Sequence, residues 1–236
     1  MADIDATGKS AREINQEIRR EVAAKSADIT VQNPGARHNL AVAILEPAHI
    51  RIGGSVGYYC GGLGDGASIE IDGSAGWGLA ESMLSGTVRV HGNAGSGAAA
   101  AVRGGTIVIH GDAAARLGVS LKGGLVIVGG SCGYMAGFMA QKGTLIVCGD
   151  AGEAFADSMY ATVCYVGGKV ENLGTDAVLG TMDPGDVDYL EETLTTYLPS
   201  ALRKTKPRAS EFKKVVSGRK LWNFDKRDWK IWQEAL

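Results

Sequence analysis

The chain has 236 residues, 45% hydrophobic and 21% charged, with 35 glycines, 5 prolines and only 6% aromatics. Glycine at about twice its average usage beside so little proline excludes collagen and proline-rich disorder, and no apolar run approaches the ~20 residues that span a bilayer. The net charge of −2 conceals an asymmetry: residues 31–200 carry 8 Lys+Arg against 16 Asp+Glu, while residues 201–236 carry 11 against 4. The acidic body has no basic groove interleaved with aromatics, so nucleic acid is not an expected partner.

The first residues, Met1-Ala2-Asp3-Ile4-Asp5, lack the basic-then-apolar order of a secretory leader. Cysteines at 60, 132, 148 and 164 form no C-x-x-C pair. They read as reduced thiols, and a cytoplasmic location is expected. Ser10 to about Lys25 predicts an amphipathic helix with Ser10 as N-cap. Residues 28–32 read as extended, Asn33-Pro34-Gly35 turns the chain, and Arg37–Leu45 is expected to be a lead-in strand.

A repeat then takes over. Glycine recurs at 54, 73, 92, 111, 130, 149 and 168, every interval being 19 residues. Four and two residues before each anchor stand apolar pairs, from Ile50/Ile52 through Val88/Val90 to Cys164/Val166. That period-2 alternation is a short strand. Seven residues after the anchors the chain is always small: Gly61, Ala80, Ala99, Gly118, Gly137 and Ala156. A 19-residue unit cannot bury its apolar face alone, but stacked units can, each strand pairing with its copy in the next coil. The expected fold is all-β: a right-handed parallel β-helix of about seven coils with short helical terminal extensions. Residues 1–44 form the N-terminal helix and lead-in strand, 45–175 the solenoid, and 176–236 a helical and basic tail. In that tail Val187 to about Leu198 reads as a helix, followed by Trp222, Trp229 and Trp232 among basic residues.

The coil register aligns candidate chemistry. If the paired apolar residues point inward, Asp72, His91 and His110 point outward on consecutive coils about 5 Å apart, a spacing that could hold a metal, with a solvated polar ladder as the alternative. At the neighbouring outward phase Arg51, Glu70 and Arg89 give way to Val108, Ile127, Ile146 and Tyr165. Such an apolar strip is expected to be covered by the chain's own termini or by another subunit, with the N-terminal helix or a flavoprotein-like sister subunit preferred. The three tail tryptophans are expected interface anchors as well. Nucleophilic catalysis finds no support: Cys164 sits at an inward core phase, Cys132 has no His in register, and no G-x-S-x-G, H-E-x-x-H or P-loop lysine occurs. The run Gly61-Gly62-Leu63-Gly64-Asp65-Gly66 reads as a wide corner rather than a dinucleotide loop. No catalytic or cofactor-binding residue is expected in this chain.

The segments Gly73-Ser74-Ala75-Gly76-Trp77-Gly78, Gly92-Asn93-Ala94-Gly95-Ser96-Gly97 and Gly130-Ser131-Cys132-Gly133-Tyr134-Met135-Ala136-Gly137 resemble the C-terminal GXGXG domain of the glutamate synthase large subunit, as does Gly149-Asp150-Ala151-Gly152 with the residues after it. The resemblance covers roughly residues 45–170. It implies a β-helix that packs between an amidotransferase domain and an FMN-binding barrel without supplying catalytic residues. A stand-alone chain of this kind is most similar to the β-helix subunit of N-methylglutamate synthase (methylamine–glutamate N-methyltransferase), a resemblance supported by Arg37-His38-Asn39-Leu40-Ala41-Val42 and Ser217-Gly218-Arg219-Lys220-Leu221-Trp222-Asn223-Phe224-Asp225. FMN would then reside in a sister subunit, and the partners would be amidotransferase-like and FMN-barrel subunits. Two alternatives are the C subunit of a formylmethanofuran dehydrogenase or formyltransferase/hydrolase complex, and a stand-alone scaffold or metal-binding module.

Overall fold

The computed structural model describes residues 2–202 and 208–218. Its strands are β1 (Ala2–Asp5), β2 (Ile29–Gln32), β3 (His49–Gly53), β4 (Ser68–Ile71), β5 (Thr87–Val90), β6 (Thr106–Ile109), β7 (Lys122–Val128), β8 (Lys142–Val147), β9 (Ala161–Val166), β10 (Ala177–Gly180) and β11 (Lys213–Ser217). Two α-helices accompany them, α1 (Ala11–Ala23) and α2 (Pro184–Tyr197). The strands form one sheet in the order β1 to β9, then β11, then β10. β1 to β9 pair in parallel, while β11 runs antiparallel to β9 and β10 antiparallel to β11. This is the expected parallel solenoid. Residues 19 apart are partners from His49↔Ser68 onward, with one irregularity between Lys122 and Leu125.

Each coil has three sides. The strand side buries its paired residues, such as Val88, Val90, Ile107 and Ile109, without exposure. A second side is a ladder of single bridges running from Val56 through Ala75, Ala94, Ala113, Cys132 and Ala151 to Val170. The third side is built of turns. Glu81 N–H donates to Gly78 O and Met83 N–H to Ala80 O, with positive φ at Ala80 and Ser82, the pattern of two overlapping type II turns. The small residues at 61, 80, 99, 118, 137 and 156 all have φ between 55° and 74° there. The anchor glycines act differently. A side chain on Gly92 would stand 2.9 Å from Gly73 O, so this glycine is required by close approach of coils, not by φ.

Beside each anchor runs a polar ladder that sequence reasoning did not single out. Ser74 Oγ accepts from Asn93 N–H, Asn93 Oδ1 from Asp112 N–H, Asp112 Oδ1 from Ser131 N–H, and Ser131 Oγ from Asp150 N–H, at 2.7–3.1 Å. It starts at Ser55 and ends at Lys169, whose N–H donates to Asp150. Short acceptor side chains thus satisfy backbone donors that the bend between strand side and bridge side would leave open.

The N-terminal segment departs from expectation. Ser10 caps α1 in a capping box with Glu13, as the sequence predicts. Arg37–Leu45, expected as a strand, is instead the turn side of an earlier coil whose strand is β2. Asn39, Ala41 and Ala43 have positive φ, and Asn39 and Ala43 donate to Tyr58 and Gly62 in the next coil. Helix α1 closes that end. Ile14, Ile18 and Val22 enter the core, and Asn15 bonds Asn39 O at 2.7 Å and Ala41 N–H at 2.8 Å. No helix among the described residues is long and apolar enough to cross a membrane.

Candidate functional site

The outer face of the strand side divides into a charged half and an apolar half. In the charged half, side chains pair diagonally between coils. Arg51 Nε lies 3.2 Å from both Asp72 carboxylate oxygens, and Glu70 Oε1 lies 2.6 Å from His91 Nε2. One coil further, Arg89 donates to His110 Nε2 at 3.2 Å and to the Tyr197 carbonyl at the end of α2 at 2.7 Å. The His91 and His110 rings lie 4.7 Å apart. Glu70 is held below the usual carboxylate range, first by its bond to His91. His110 is depressed, chiefly by burial and then by the charges of His91 and Arg89.

Of the metal candidates Asp72, His91 and His110, the first two fall in a donor set whose third member is Glu70, all within 4.8 Å of one another. Glu70 was left out by the sequence reading because it belongs to the neighbouring outward phase. His110 stands outside this set and faces Arg89. Both carboxylates are already engaged, Asp72 by Arg51 and Glu70 by His91, so these side chains link neighbouring coils.

In the apolar half Val108, Ile127 and Ile146 have no exposure and Tyr165 has 5%. The strip is covered by one of the chain's own termini, the C-terminal one. In place of the N-terminal helix, Leu190, Leu194 and Leu198 pack on the strip together with Ala201, Ala209 and Phe212. Helix α2 begins three residues before the expected start, because Asp183 caps it and Pro184 takes the first helical position. Tyr165 donates to Asp186 Oδ1 at 2.6 Å and Lys214 Nζ to both Asp186 oxygens at 2.8 Å, fixing the start of α2 to β9 and β11. Burial works to raise the pKa of Asp186, but Lys214 and Tyr165 outweigh it and hold the carboxyl low. Trp222, Trp229 and Trp232 lie outside the described residues.

All four thiols are buried. Burial pushes Cys60 and Cys132 up to about 12, and Cys164 higher still, so these groups stay protonated and weakly nucleophilic. Gly61–Gly66 forms turns of the coil that follows β3, as expected.

Protein GlxC of Rhizobium meliloti (strain 1021) is 45% identical over 227 residues, which cover 95% of this chain and 97% of GlxC. The chain belongs to the GlxC family. At that coverage the likeness to GlxC takes in the coils and most of both terminal extensions. Membership of the GlxC family fits the glutamate-synthase-like resemblance carried by the glycine-rich coil segments. No protein-family model matches the chain.

Proposed function

We propose that this chain is the non-catalytic β-helix subunit of a cytoplasmic glutamate-synthase-like complex of the N-methylglutamate synthase kind, which converts methylamine and glutamate to N-methylglutamate and ammonia. In this reading it bridges an amidotransferase-like subunit and an FMN-barrel subunit, and FMN is bound by the latter. One observation supports a structural role above all. The polar side chains in register along the strand side hold coils together, in the acceptor ladder from Ser55 to Asp150 and the Arg51–Asp72 and Glu70–His91 pairs, and the thiols are buried. A parallel solenoid presents a long rigid surface suited to joining other domains.

Co-expression with both sister subunits tests the reading. A stable complex containing all three chains, with flavin absorbance and production of N-methylglutamate, is the expected result. The pure chain should give no turnover. Turnover by the pure chain, or a flavin complex that assembles and works without it, would overturn the proposal.

A further inference from the structure

The turn side of the first coils carries an exposed feature that the interior does not explain. Glycines three residues after the anchors allow aromatic rings to lie flat on the backbone of the next coil. A side chain on Gly76 would stand 2.7 Å from the Tyr58 ring, and one on Gly95 2.7 Å from the Trp77 ring. The rings of His38, Tyr58 and Trp77 stack in turn, with centroids 4.3 Å and 5.2 Å apart and planes tilted by 23° and 12°. His38 Nδ1 accepts from the Tyr58 N–H at 2.8 Å, which fixes the start of the stack. Despite this order, Tyr58 is 39% and Trp77 57% exposed.

Beside the stack lies an open pocket of about 260 Å³ whose walls include Val42, Tyr59, Leu63 and Glu81. The Tyr59 ring and Glu81 Oε2 both approach Gly78, so carboxylate and aromatic face share one spot. Among the described residues Glu81 has no ion-pair partner. A carboxylate next to a tyrosine face attracts a guanidinium or ammonium group. Rings already immobilised on backbone lose little freedom on contact, which makes Trp and Tyr effective anchors.

We propose that the aromatic stack and the Glu81 pocket form a docking surface for a basic segment of a sister subunit, which lays an apolar side chain on Trp77 and places an Arg or Lys against Tyr59 and Glu81. The inference rests on the subunit reading above and names a contact within it. Charge favours a basic partner, since residues 31–200 carry 16 acidic against 8 basic groups. The chain's own basic tail leaves from Gly218, bonded to Asp176 at the opposite end of the stack of coils.

The test uses the co-expressed complex, with Trp77→Ser, Glu81→Lys and, as an exposed control three coils along, Tyr134→Ser. Each site is surface-exposed or half-buried, so unchanged melting temperatures establish that the variants fold. Trp77→Ser and Glu81→Lys should each weaken assembly at least about tenfold, while Tyr134→Ser assembles like wild type. A photo-crosslinking p-benzoylphenylalanine at position 63 should capture a sister-subunit peptide that contains Arg or Lys. Assembly of Trp77→Ser and Glu81→Lys at wild-type strength would overturn the inference. So would a crosslink to a second copy or to residues 219–236. Mass and flavin content of the wild-type complex report separately on the subunit reading. If wild type forms no complex, that reading falls, and crosslinking in the producing cells decides the surface by the same peptide outcomes.

Discussion

Two glycines five residues apart should fail for different reasons and by different amounts. Gly97 has φ +70° and nothing within 4 Å of where a side chain would sit, so Gly97→Ala introduces only left-handed backbone strain. Ala99 and Ala101, in the same turn run, already accept that conformation at φ 58° and 53°. The expected cost is about 1 kcal/mol. Gly92 has ordinary φ, but an added carbon would strike Ser74 Oγ and stand 2.9 Å from Gly73 O and 3.0 Å from Gly73 C. Ser74 Oγ is the acceptor for Asn93 N–H, so Gly92→Ala combines overpacking of roughly 1–3 kcal/mol with loss of a hydrogen bond worth about 1 kcal/mol. The total is about 2–4 kcal/mol. For a chain of this size each kcal/mol moves the melting temperature by roughly 2–4 °C. Thermal unfolding followed by circular dichroism should therefore show a loss of a few degrees for Gly97→Ala and two to four times that for Gly92→Ala. Equal losses, or a larger one for Gly97→Ala, would refute the division between conformational and contact glycines.

Ile127→Asp places a carboxylate under α2 at a site with no exposure, and should cost at least ~4 kcal/mol and make residues 184–202 the first protease-sensitive segment. Arg89→Ala loses its bond to Tyr197 O and should cost about 1 kcal/mol; denaturant melts that rank the two equally would count against the clamp. Asn15→Ala orphans the Asn39 carbonyl and Ala41 N–H, and about 2–4 kcal/mol should disappear from urea unfolding, whereas a loss under about 0.5 kcal/mol would mean that α1 is held without it. Because the folded pKa of His110 lies below its ordinary 6.5, the unfolded chain takes up its proton first as pH falls. Stability should therefore drop from about pH 6.5 downward toward the folded pKa. The melting temperature of His110→Gln should fall less steeply over that window, and parallel slopes would dismiss the histidine as the cause.

The sequence makes the solenoid legible because a fixed interval exposes its register. The same device hid its first coil. Ile29 pairs with Ile50 across 21 residues, not 19, so a search at constant period starts one turn too late. The acceptor ladder was legible too, since Ser55, Ser74, Asn93, Asp112, Ser131 and Asp150 are all short acceptors at one phase. Reading it requires knowing that the backbone bends there and leaves donors open. The apolar strip announced that it needed a cover, but not which one. Helix α1 offers Ile14, Ile18 and Val22, and α2 offers Leu190, Leu194 and Leu198, both at spacings of four. Spacing alone cannot choose between two segments that both place apolar residues four apart. The choice is made by Asp186 and Arg89, whose bonds to Tyr165, Lys214 and Tyr197 O fix the ends of α2 on the strip. The donor set with Glu70 is not legible at one phase, because Glu70 and Asp72 are outward residues two apart on one strand and belong to neighbouring rows.

Solenoids have no intrinsic length, since one more coil always fits on the last. Here α2 acts as a gauge. Its start is tied to Tyr165 and its end to Arg89, four coils away. At ~4.8 Å per coil that is about 19 Å, and the 11 steps from Asp186 to Tyr197 rise about 17 Å at 1.5 Å each. A 19-residue coil duplicated between Arg89 and Tyr165 would stretch the span beyond the helix and leave one apolar rung bare. The same duplication between Ser55 and Arg89 would lengthen the molecule without touching the clamp. Gene duplication can therefore extend this protein on one side of the clamp only, while the number of coils from Arg89 to Tyr165 is set by a single helix.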